Sequence, residues 1–174
     1  MDEAPRAPTG VSGLELRRVI GAFATGVAVI TTESDGQPQG MTVNSLTSVS
    51  LDPPLLLVCL TRGARTTAAL LQRGAFVVNV LSTRQEDVAN RFARRGEDHF
   101  AGLPTVRNAR GLPVIPKALA TLDCAVEAVQ PGGDHEIVVG RVLGCERDER
   151  TPLVFFSGRY FELGARGGPA DWYW

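Results

Sequence analysis

Polar side chains fill the stretch from Asn44 to Ser50, directly before the strongly apolar segment Leu55 to Leu60. Hydroxyl and amide groups that alternate along a strand line its faces, where they can donate hydrogen bonds to a ligand and accept them from it. Two polar faces pack poorly against a core, so the pattern favours contact with an extended polar ligand, such as a sugar-like chain with a phosphate. A solvated edge strand remains the alternative.

Arginine and threonine side chains gather where the apolar segment ends, in TRGARTTAAL (residues 61–70). A short helix is predicted there, and the first N–H groups of a helix attract anions because they have no partner within the helix. An arginine fork adds charge-assisted hydrogen bonds to a phosphate. We therefore expect the phosphate of the ligand at this end, while a well-capped, solvated helix start is the alternative.

Two histidines stand near possible ligand positions. His135, in GGDHEIVVG, is either a partly exposed ring beside a turn in which Asp134 fixes the strand start, or a hydrogen-bond donor to a ligand. His99, in the loop RRGEDHFAGLP, is expected to be solvated. Its neighbours Asp98 and Phe100 are placed to form part of a lid.

Other kinds of chemistry find no support in the sequence. It contains no GxxxxGK[ST], no GxGxxG after a strand and no HExxH, and its two histidines lack a surrounding carboxylate cluster, which argues against a protein-bound metal. Ser157, in FFSGRY, does not stand in GxSxG. Side chains are therefore expected to do little of the chemistry, which points to a bound organic cofactor. Three cysteines in apolar runs are predicted to be buried, inert thiols: Cys59, Cys124 and Cys145.

Length and composition indicate one soluble domain. The chain has 174 residues, 44% of them hydrophobic and 21% charged, and no apolar run is long enough to cross a bilayer. A net charge of -1 argues against nucleic acid or an anionic membrane as partner. No signal-peptide pattern is present, so we expect a cytoplasmic location. The organisation predicted is a disordered segment over residues 1–10, one domain over residues 11–163 and a flexible, glycine-rich tail over residues 164–174.

Capping patterns predict three short helices. The pattern SxxE at Ser12 and the pattern SxxQ at Ser82 each mark a helix start. The first helix is amphipathic and is expected to lie on an apolar surface, and the second runs to about Phe92. A further helix over residues 65–73 is stopped by Gly74.

Strand-like runs make up most of the rest of the chain. Asp35-Gly36 predicts a hairpin turn, and residues 55–60 are expected to form a strand buried on both faces. Seven or eight strands with tight connections predict a mainly β fold (α+β), an antiparallel Greek-key barrel with a few peripheral helices. Edge strands of a half-open barrel need covering, so a homodimer is expected.

Several motifs together resemble a known family. They are FATGVAVITT, GMTVNSLTSVSLDPPLLLVCL, RTTAAL, FVVNVLSTRQEDVANRFA, GGDHEIVVGRV and LVFFSGRYFEL. In this order, over about residues 14–163, they resemble the short-chain flavin reductases of two-component flavin-dependent monooxygenases. The resemblance implies an FMN-binding split-barrel homodimer that uses NADH or NADPH to reduce FMN or FAD and releases the reduced flavin to a partner monooxygenase. Hydride would pass from nicotinamide C4 to flavin N5, with the protein aligning the two rings.

The resemblance also implies which residues bind the cofactors. The flavin ring edge and ribityl chain match Asn44, Ser45, Leu46, Thr47, Ser48 and Ser50. The adjoining strand end and the phosphate end match Cys59, Leu60, Thr61, Arg65 and Thr66. The entry of the first strand matches Thr25, Gly26 and Val27, and closure over the flavin matches Phe92 and Ala93. The nicotinamide side matches His135, Gly140 and Tyr160, with His135 as the catalytic residue, and no metal is implied.

Two alternatives stay open from the sequence. One is a non-catalytic FMN-binding split barrel that carries electrons or stores flavin, and the other is a pyridoxamine-phosphate-oxidase-like enzyme. GGDHEIVVG together with Arg159-Tyr160 favours the reductase, because a flavin carrier needs no nicotinamide pocket. The choices between FMN and FAD, between NADH and NADPH, and between bound flavin and flavin as substrate stay open. The tail DWYW lies outside the resemblance, and a disordered end is favoured over a docking element.

Overall fold

The structure is a computed structural model that describes residues 10–96 and 98–164 of the chain. Three α-helices are present in this part: α1 (Gly13–Ile20), α2 (Arg65–Arg73) and α3 (Glu86–Ala93), the last preceded by a 3-10 turn (Thr83–Gln85). Twelve strands follow the chain in order: β1 (Thr25–Gly26), β2 (Ala28–Ser34), β3 (Gln37–Val43), β4 (Thr47–Leu51), β5 (Pro54–Thr61), β6 (Ala75–Val80), β7 (Val106–Arg107), β8 (Pro113–Val114), β9 (Ala120–Gly132), β10 (His135–Arg147), β11 (Leu153–Phe156) and β12 (Arg159–Glu162).

The main sheet is antiparallel and has seven strands in the order β3-β2-β6-β9-β10-β5-β4. Its two edge strands, β3 and β4, are consecutive in the chain and are joined by only three residues, 44–46. So short a link requires the sheet to curl until its edges come close together. A second sheet pairs β1, β11 and β12, and a two-stranded sheet pairs β7 with β8. The prediction of a mainly antiparallel β fold with few helices is confirmed, and the sheet is left open as in a split barrel.

Two apolar clusters explain the continuous apolar run at the start of β2. Ala28 and Ile30 face the interior of the curled sheet, where Leu60 and Phe76 also lie. Val29, one position away, faces the opposite cluster, which includes residues of α3. Both faces of this strand are therefore buried, as is usual for a strand without polar alternation.

The predicted turn and capping signals are confirmed. The Ser12 hydroxyl accepts a hydrogen bond from the Glu15 amide at 3.2 Å, and the Glu15 carboxylate accepts one from the Ser12 amide at 3.0 Å. The second capping box, at Ser82, is also formed. Gly74 ends α2 in the left-handed conformation, with φ of 66°. Asp35 and the glycine after it both have positive φ, as the hairpin turn between β2 and β3 requires.

One prediction about an apolar segment is wrong, and another stays a prediction. No residue of α1 is buried within the described chain, so what covers its apolar face stays open. In β5, only alternate side chains are buried, since Leu56, Val58 and Leu60 point into the core while Leu55 and Leu57 are half-buried. The side chains of β5 that point away from the core face the other surface of an open sheet.

Predictions about single polar side chains also need correction. Only Cys124 is a buried thiol, because Cys145 lies on the exposed far end of β10 and Cys59 is half-buried. His99 is not solvated: its ring nitrogens lie 3.2 Å from the Gly40 carbonyl oxygen and 2.9 Å from the Arg94 carbonyl oxygen. The predicted disorder of residues 1–10 and flexibility of residues 164–174 fall almost wholly outside the described residues.

Candidate functional site

The polar segment forms an irregular edge of the main sheet rather than one alternating strand. Regular pairing with β5 begins at Thr47, opposite Leu57, and a bulge after Ser48 shifts the register before Ser50. A bulge re-aims the side chains that follow it, so Ser48 and Ser50 do not keep the strict alternation that the sequence suggested. Thr47 and Ser48 are exposed. Their hydroxyls therefore line an open edge with polar groups that a ligand can reach.

One member of the segment has a structural task. The Ser45 hydroxyl accepts a hydrogen bond from the Cys59 amide at 3.0 Å and donates one to the Cys59 carbonyl at 3.1 Å. This pair of bonds mimics the pairing of a strand and attaches the link between β3 and β4 to β5. Ser45 thus fixes the position of the polar segment, while Thr47 and Ser48 stay exposed and Ser50 is half-buried.

The start of α2 has the properties of an anion site. Its N-cap residue, Ala64, provides no side-chain cap, so the amides of the first turn lack the usual hydroxyl partner. Arg65 stands at the first helical position and is exposed, whereas Thr66 is buried. The Thr67 hydroxyl donates to the Thr61 carbonyl at 2.8 Å and holds the helix against the end of β5. The predicted phosphate end is thus a helix N-terminus with an arginine, fixed to the sheet.

His135 lies beside this anion site. It is the first residue of β10 and pairs with Thr61 at the end of β5. Its ring is 39% exposed, and its Nδ1 lies 2.7 Å from the Asp134 carboxylate. This hydrogen bond lowers the pKa of Asp134, because it favours the charged carboxylate. With Nδ1 held by Asp134, Nε2 is the ring nitrogen left to face a ligand.

Arg62 links the end of β5 to the start of β10, where His135 lies. Its amide donates to the Asp134 carbonyl at 3.0 Å, and its guanidinium binds the Glu136 carboxylate at 2.7 Å. Glu136 was not identified from the sequence. The signal that could have found it is the antiparallel register, which sets Glu136 opposite Leu60 and so diagonally from Arg62, within reach of its long side chain. These bonds keep His135 and the start of α2 at a fixed separation.

The entry of the first strand borders the same region. Ala28 pairs with Val43, so Val27 lies one position past the end of this pairing, towards Asn44. Thr25 pairs with Phe155, whose ring contacts Tyr160 with centroids 5.5 Å apart. The Thr25 hydroxyl is buried and has no hydrogen-bond partner among the described residues. A buried hydroxyl without a partner destabilises the folded state, and a hydrogen bond to a ligand or to a neighbouring subunit would remove this penalty.

Tyr160 is half-buried beside this strand entry. Burial raises the pKa of its phenol, and the nearby Glu86 carboxylate raises it further. The phenol therefore stays protonated at neutral pH and can donate a hydrogen bond. Its role on the nicotinamide side remains a prediction.

Two of the predicted site residues are explained by packing. Gly140 is buried, and a Cβ at this position would lie 2.5 Å from Cζ of Phe76. It also stands five positions along β10 from His135, about 17 Å at the rise of a strand. Phe92 is 1% exposed and packs edge-on against Phe100. Contacts of Gly140 and Phe92 with a cofactor remain predictions that their surroundings do not support, whereas Ala93, beside Phe92, is exposed.

A polar cleft of about 750 Å³ lies apart from the predicted residues, and Arg84, Arg147 and Arg150 are among those that line it. Within the described residues, no group of three or more histidine, cysteine or acidic side chains is placed to hold a metal ion. No helix of the described part is long and apolar enough to cross a bilayer.

Comparison with known proteins identifies the family. Residues 20–164 match the model of the flavin reductase like domain. The chain belongs to this family. It is 40% identical over 168 residues to the flavin-dependent monooxygenase reductase subunit HsaB of Rhodococcus jostii, covering 95% of this chain and 86% of that protein. A probable flavin reductase of Rhizobium meliloti is 44% identical over 147 residues, which cover 84% of this chain but 47% of that longer protein.

A similar solved structure contains bound nucleotide fragments. The NADH:FAD oxidoreductase SgcE6 of Streptomyces globisporus, in complex with NAD and FAD fragments, matches with a TM-score of 0.81 and 39% identity. The match covers 91% of this chain and 94% of that one. In the present chain, the uncapped start of α2 with Arg65 fits a phosphate, and the exposed hydroxyls of Thr47 and Ser48 fit a ribityl chain. The residues present therefore suit a flavin.

Proposed function

We propose that this protein is an NAD(P)H:flavin oxidoreductase that reduces FMN or FAD and supplies the reduced flavin to a partner monooxygenase. The observation that carries the proposal is the fixed junction between β5 and β10, where Thr61 pairs with His135 and the Arg62 amide binds the Asp134 carbonyl. This junction sets an anion-binding helix start beside an imidazole, where β5 ends and β10 begins. Family membership and relatives that are named as flavin reductases support the same activity.

The residues of the junction have separate tasks in this proposal. Arg65 and the amides of the first turn of α2 bind the flavin phosphate, while Thr47 and Ser48 donate hydrogen bonds along the polar edge of the flavin. A flavin held by these residues would supply the hydride-accepting chemistry. The protein contributes alignment of the two rings, because no side chain here forms a covalent bond with either.

His135 is the residue to which we assign contact with the nicotinamide. Asp134 accepts the hydrogen bond of Nδ1 at 2.7 Å and so limits rotation of the ring. The exposed Nε2 edge can then bond to a carboxamide or to the rim of the flavin, where negative charge grows during reduction. A flavin carrier without reductase activity would have no need for this oriented imidazole.

We further propose a homodimer in the cytoplasm. The edge strand β4 is largely exposed, with Leu51 75% exposed at its end, and such an edge requires a cover. A second copy would provide this cover and complete the flavin site from the other side. All three cysteines are free, which is typical of a reducing compartment.

The experiment that tests the activity is oxidation of NADH and of NADPH by the purified protein, with FMN, FAD or riboflavin added separately. We expect nucleotide oxidation to depend on added flavin and to be unaffected by a metal chelator. Purified monooxygenase would then be supplied with flavin from this reaction, and its product measured. Flavin binding without nucleotide oxidation would contradict the reductase and favour a flavin carrier.

A further inference from the structure

Helix α1 carries an apolar stripe that nothing in the described chain covers. Leu16, Val19 and Ile20 share one face at helical spacing, and Phe23 continues it through the turn that ends the helix. Each of these four side chains is between 59% and 70% exposed. A single exposed apolar residue is ordinary, but an aligned set of this kind marks an interaction surface.

The hairpin of β11 and β12 meets the end of α1 and carries exposed apolar side chains of its own. Its turn meets the end of α1, where the Ser157 amide donates to the Gly21 carbonyl at 2.9 Å. Phe156 and Phe161 point outward from the hairpin, with their rings in edge contact and 40% and 46% exposed. Leu163, just after β12, is 58% exposed. We call these seven side chains the apolar flank: Leu16, Val19, Ile20, Phe23, Phe156, Phe161 and Leu163.

The chain that follows the flank carries the aromatic residues to cover it. Residues 165–174 read ARGGPADWYW, so three consecutive large aromatic side chains follow a glycine- and proline-containing spacer. Trp172 is eight residues beyond Gly164, and a chain of that length spans up to about 27 Å when extended. The segment from Ser157, which contacts α1, to Gly164 is seven residues, or about 23 Å of strand. The aromatic residues can therefore reach back to the end of α1.

We propose that the C-terminal segment Asp171–Trp174 docks on the apolar flank of its own chain. Trp and Tyr side chains bury 150 to 250 Å² each, roughly, and supply the apolar cover that α1 lacks. Charge supports the same placement. Asp171 precedes the aromatic residues, and the last turn of α1 carries Arg17 and Arg18, which have no ion pair within the described residues.

Tethering favours this occupant over a second copy of the chain. A segment joined through a short flexible linker has an effective concentration on the order of millimolar at its own surface. A second copy at micromolar concentration would have to bind this surface far more strongly to displace it. The flank is also distinct from the open edge of β4, to which the homodimer was assigned, so both contacts can exist together.

The two tryptophans make the proposal directly measurable. The chain has only two, Trp172 and Trp174, so selectively excited tryptophan emission reports on this segment alone. In the full-length protein without added flavin, we expect emission that is blue-shifted from that of a free indole and poorly quenched by acrylamide. Val19→Gln with Ile20→Gln should shift the emission towards that of free indole and raise the quenching constant several-fold.

The matched control is Val106→Gln on β7, which removes a comparably exposed apolar side chain (57% exposed) away from the flank. It should leave the emission unchanged. Removal of residues 165–174 should in turn speed amide hydrogen exchange in α1, while the core strands keep their protection.

Three results would overturn the proposal. The first is emission from the native protein that already matches free indole. The second is a blue shift that the α1 variants leave intact, which would place the aromatic residues elsewhere. The third is a blue shift that disappears on dilution together with the dimer, which would assign the flank to a second copy.

Discussion

Replacement of Gly140 by alanine separates a packing role from a role in nucleotide binding. The added Cβ would lie 2.5 Å from Cζ and 3.1 Å from Cε1 of Phe76, and 3.3 Å from Cβ of Cys124. Phe76 and Cys124 are both fully buried. Because an aromatic ring in a closed core has no flexible end that can move aside, the neighbouring strands must shift instead.

The expected loss of stability in Gly140→Ala follows from the cost of overpacking a core. Inserting one methyl group into a well-packed core destabilises a protein by about 1 to 3 kcal/mol. For a domain of this size, each kcal/mol lowers the melting temperature by roughly 2 to 4 °C, so the Gly140→Ala protein should melt about 2 to 12 °C lower. A smaller ring partner should relieve part of the clash. Phe76→Leu should therefore cost less in the Gly140→Ala background than in the wild type, with a coupling of about 1 kcal/mol.

The assay is thermal unfolding together with steady-state kinetics of NADH oxidation at a temperature where both proteins are folded. We expect KM for NADH to stay within about twofold of the wild type, since Gly140 lies about 17 Å along the strand from His135. The matched control is Gly144→Ala on the same strand, where an added Cβ meets nothing within 4 Å. A Gly140→Ala protein with normal melting but a raised KM for NADH would refute the packing argument and restore Gly140 to the nicotinamide site.

Three further changes test the site and the core. Arg65→Ala should weaken FMN binding about 10- to 100-fold, the effect of one lost charge-assisted hydrogen bond, but should hardly affect the binding of riboflavin. The control Arg73→Ala, at the other end of α2, should affect the binding of neither flavin. Equal losses of affinity for FMN and riboflavin would contradict the anion site. His135→Ala should slow hydride transfer to bound flavin by about 1 to 3 kcal/mol in single-turnover measurements, while flavin affinity measured by titration stays near normal. Burial raises the pKa of the Cys124 thiol to about 12, so ionisation of this thiol opposes folding. The free energy of unfolding should therefore fall as pH rises from about 9 towards 12, and should fall less in Cys124→Ala. Mass spectrometry after alkylation should show Cys145 labelled well before Cys124.

Local signals in the sequence predicted local structure well. The capping box at Ser12, the Asp35-Gly36 turn and the glycine stop at Gly74 each depend on residues within four positions of one another. Their geometry is therefore set by backbone chemistry that any short peptide shares. The resemblance to flavin reductases, which joins many such segments in order, is confirmed by the family match over residues 20–164.

Features that depend on partners distant in sequence could not be predicted. His99 looked like a loop residue, yet its ring bonds to the carbonyl of Gly40, 59 positions away. Cys145 stands in an apolar run, but the far end of the hairpin of β9 and β10 projects into solvent. The bulge after Ser48 shifts the register of the polar segment without any proline or glycine to mark it. In each case the sequence shows the residue type but not what packs against it.

The residues of the candidate site have different tasks, which their residue types alone do not reveal. Ser45 and Arg62 were both plausible ligand contacts by residue type, but the fold uses Ser45 to bind the backbone of Cys59 and Arg62 to bind Glu136. These internal bonds, made within the protein itself, hold the polar edge, the helix start and His135 in place. A site built this way loses little conformational entropy when it binds a flavin, so more of the gross interaction energy remains as affinity. Removing Ser45 or Arg62 should therefore weaken binding through loss of order at the junction, whereas removing Arg65 weakens it through loss of a contact.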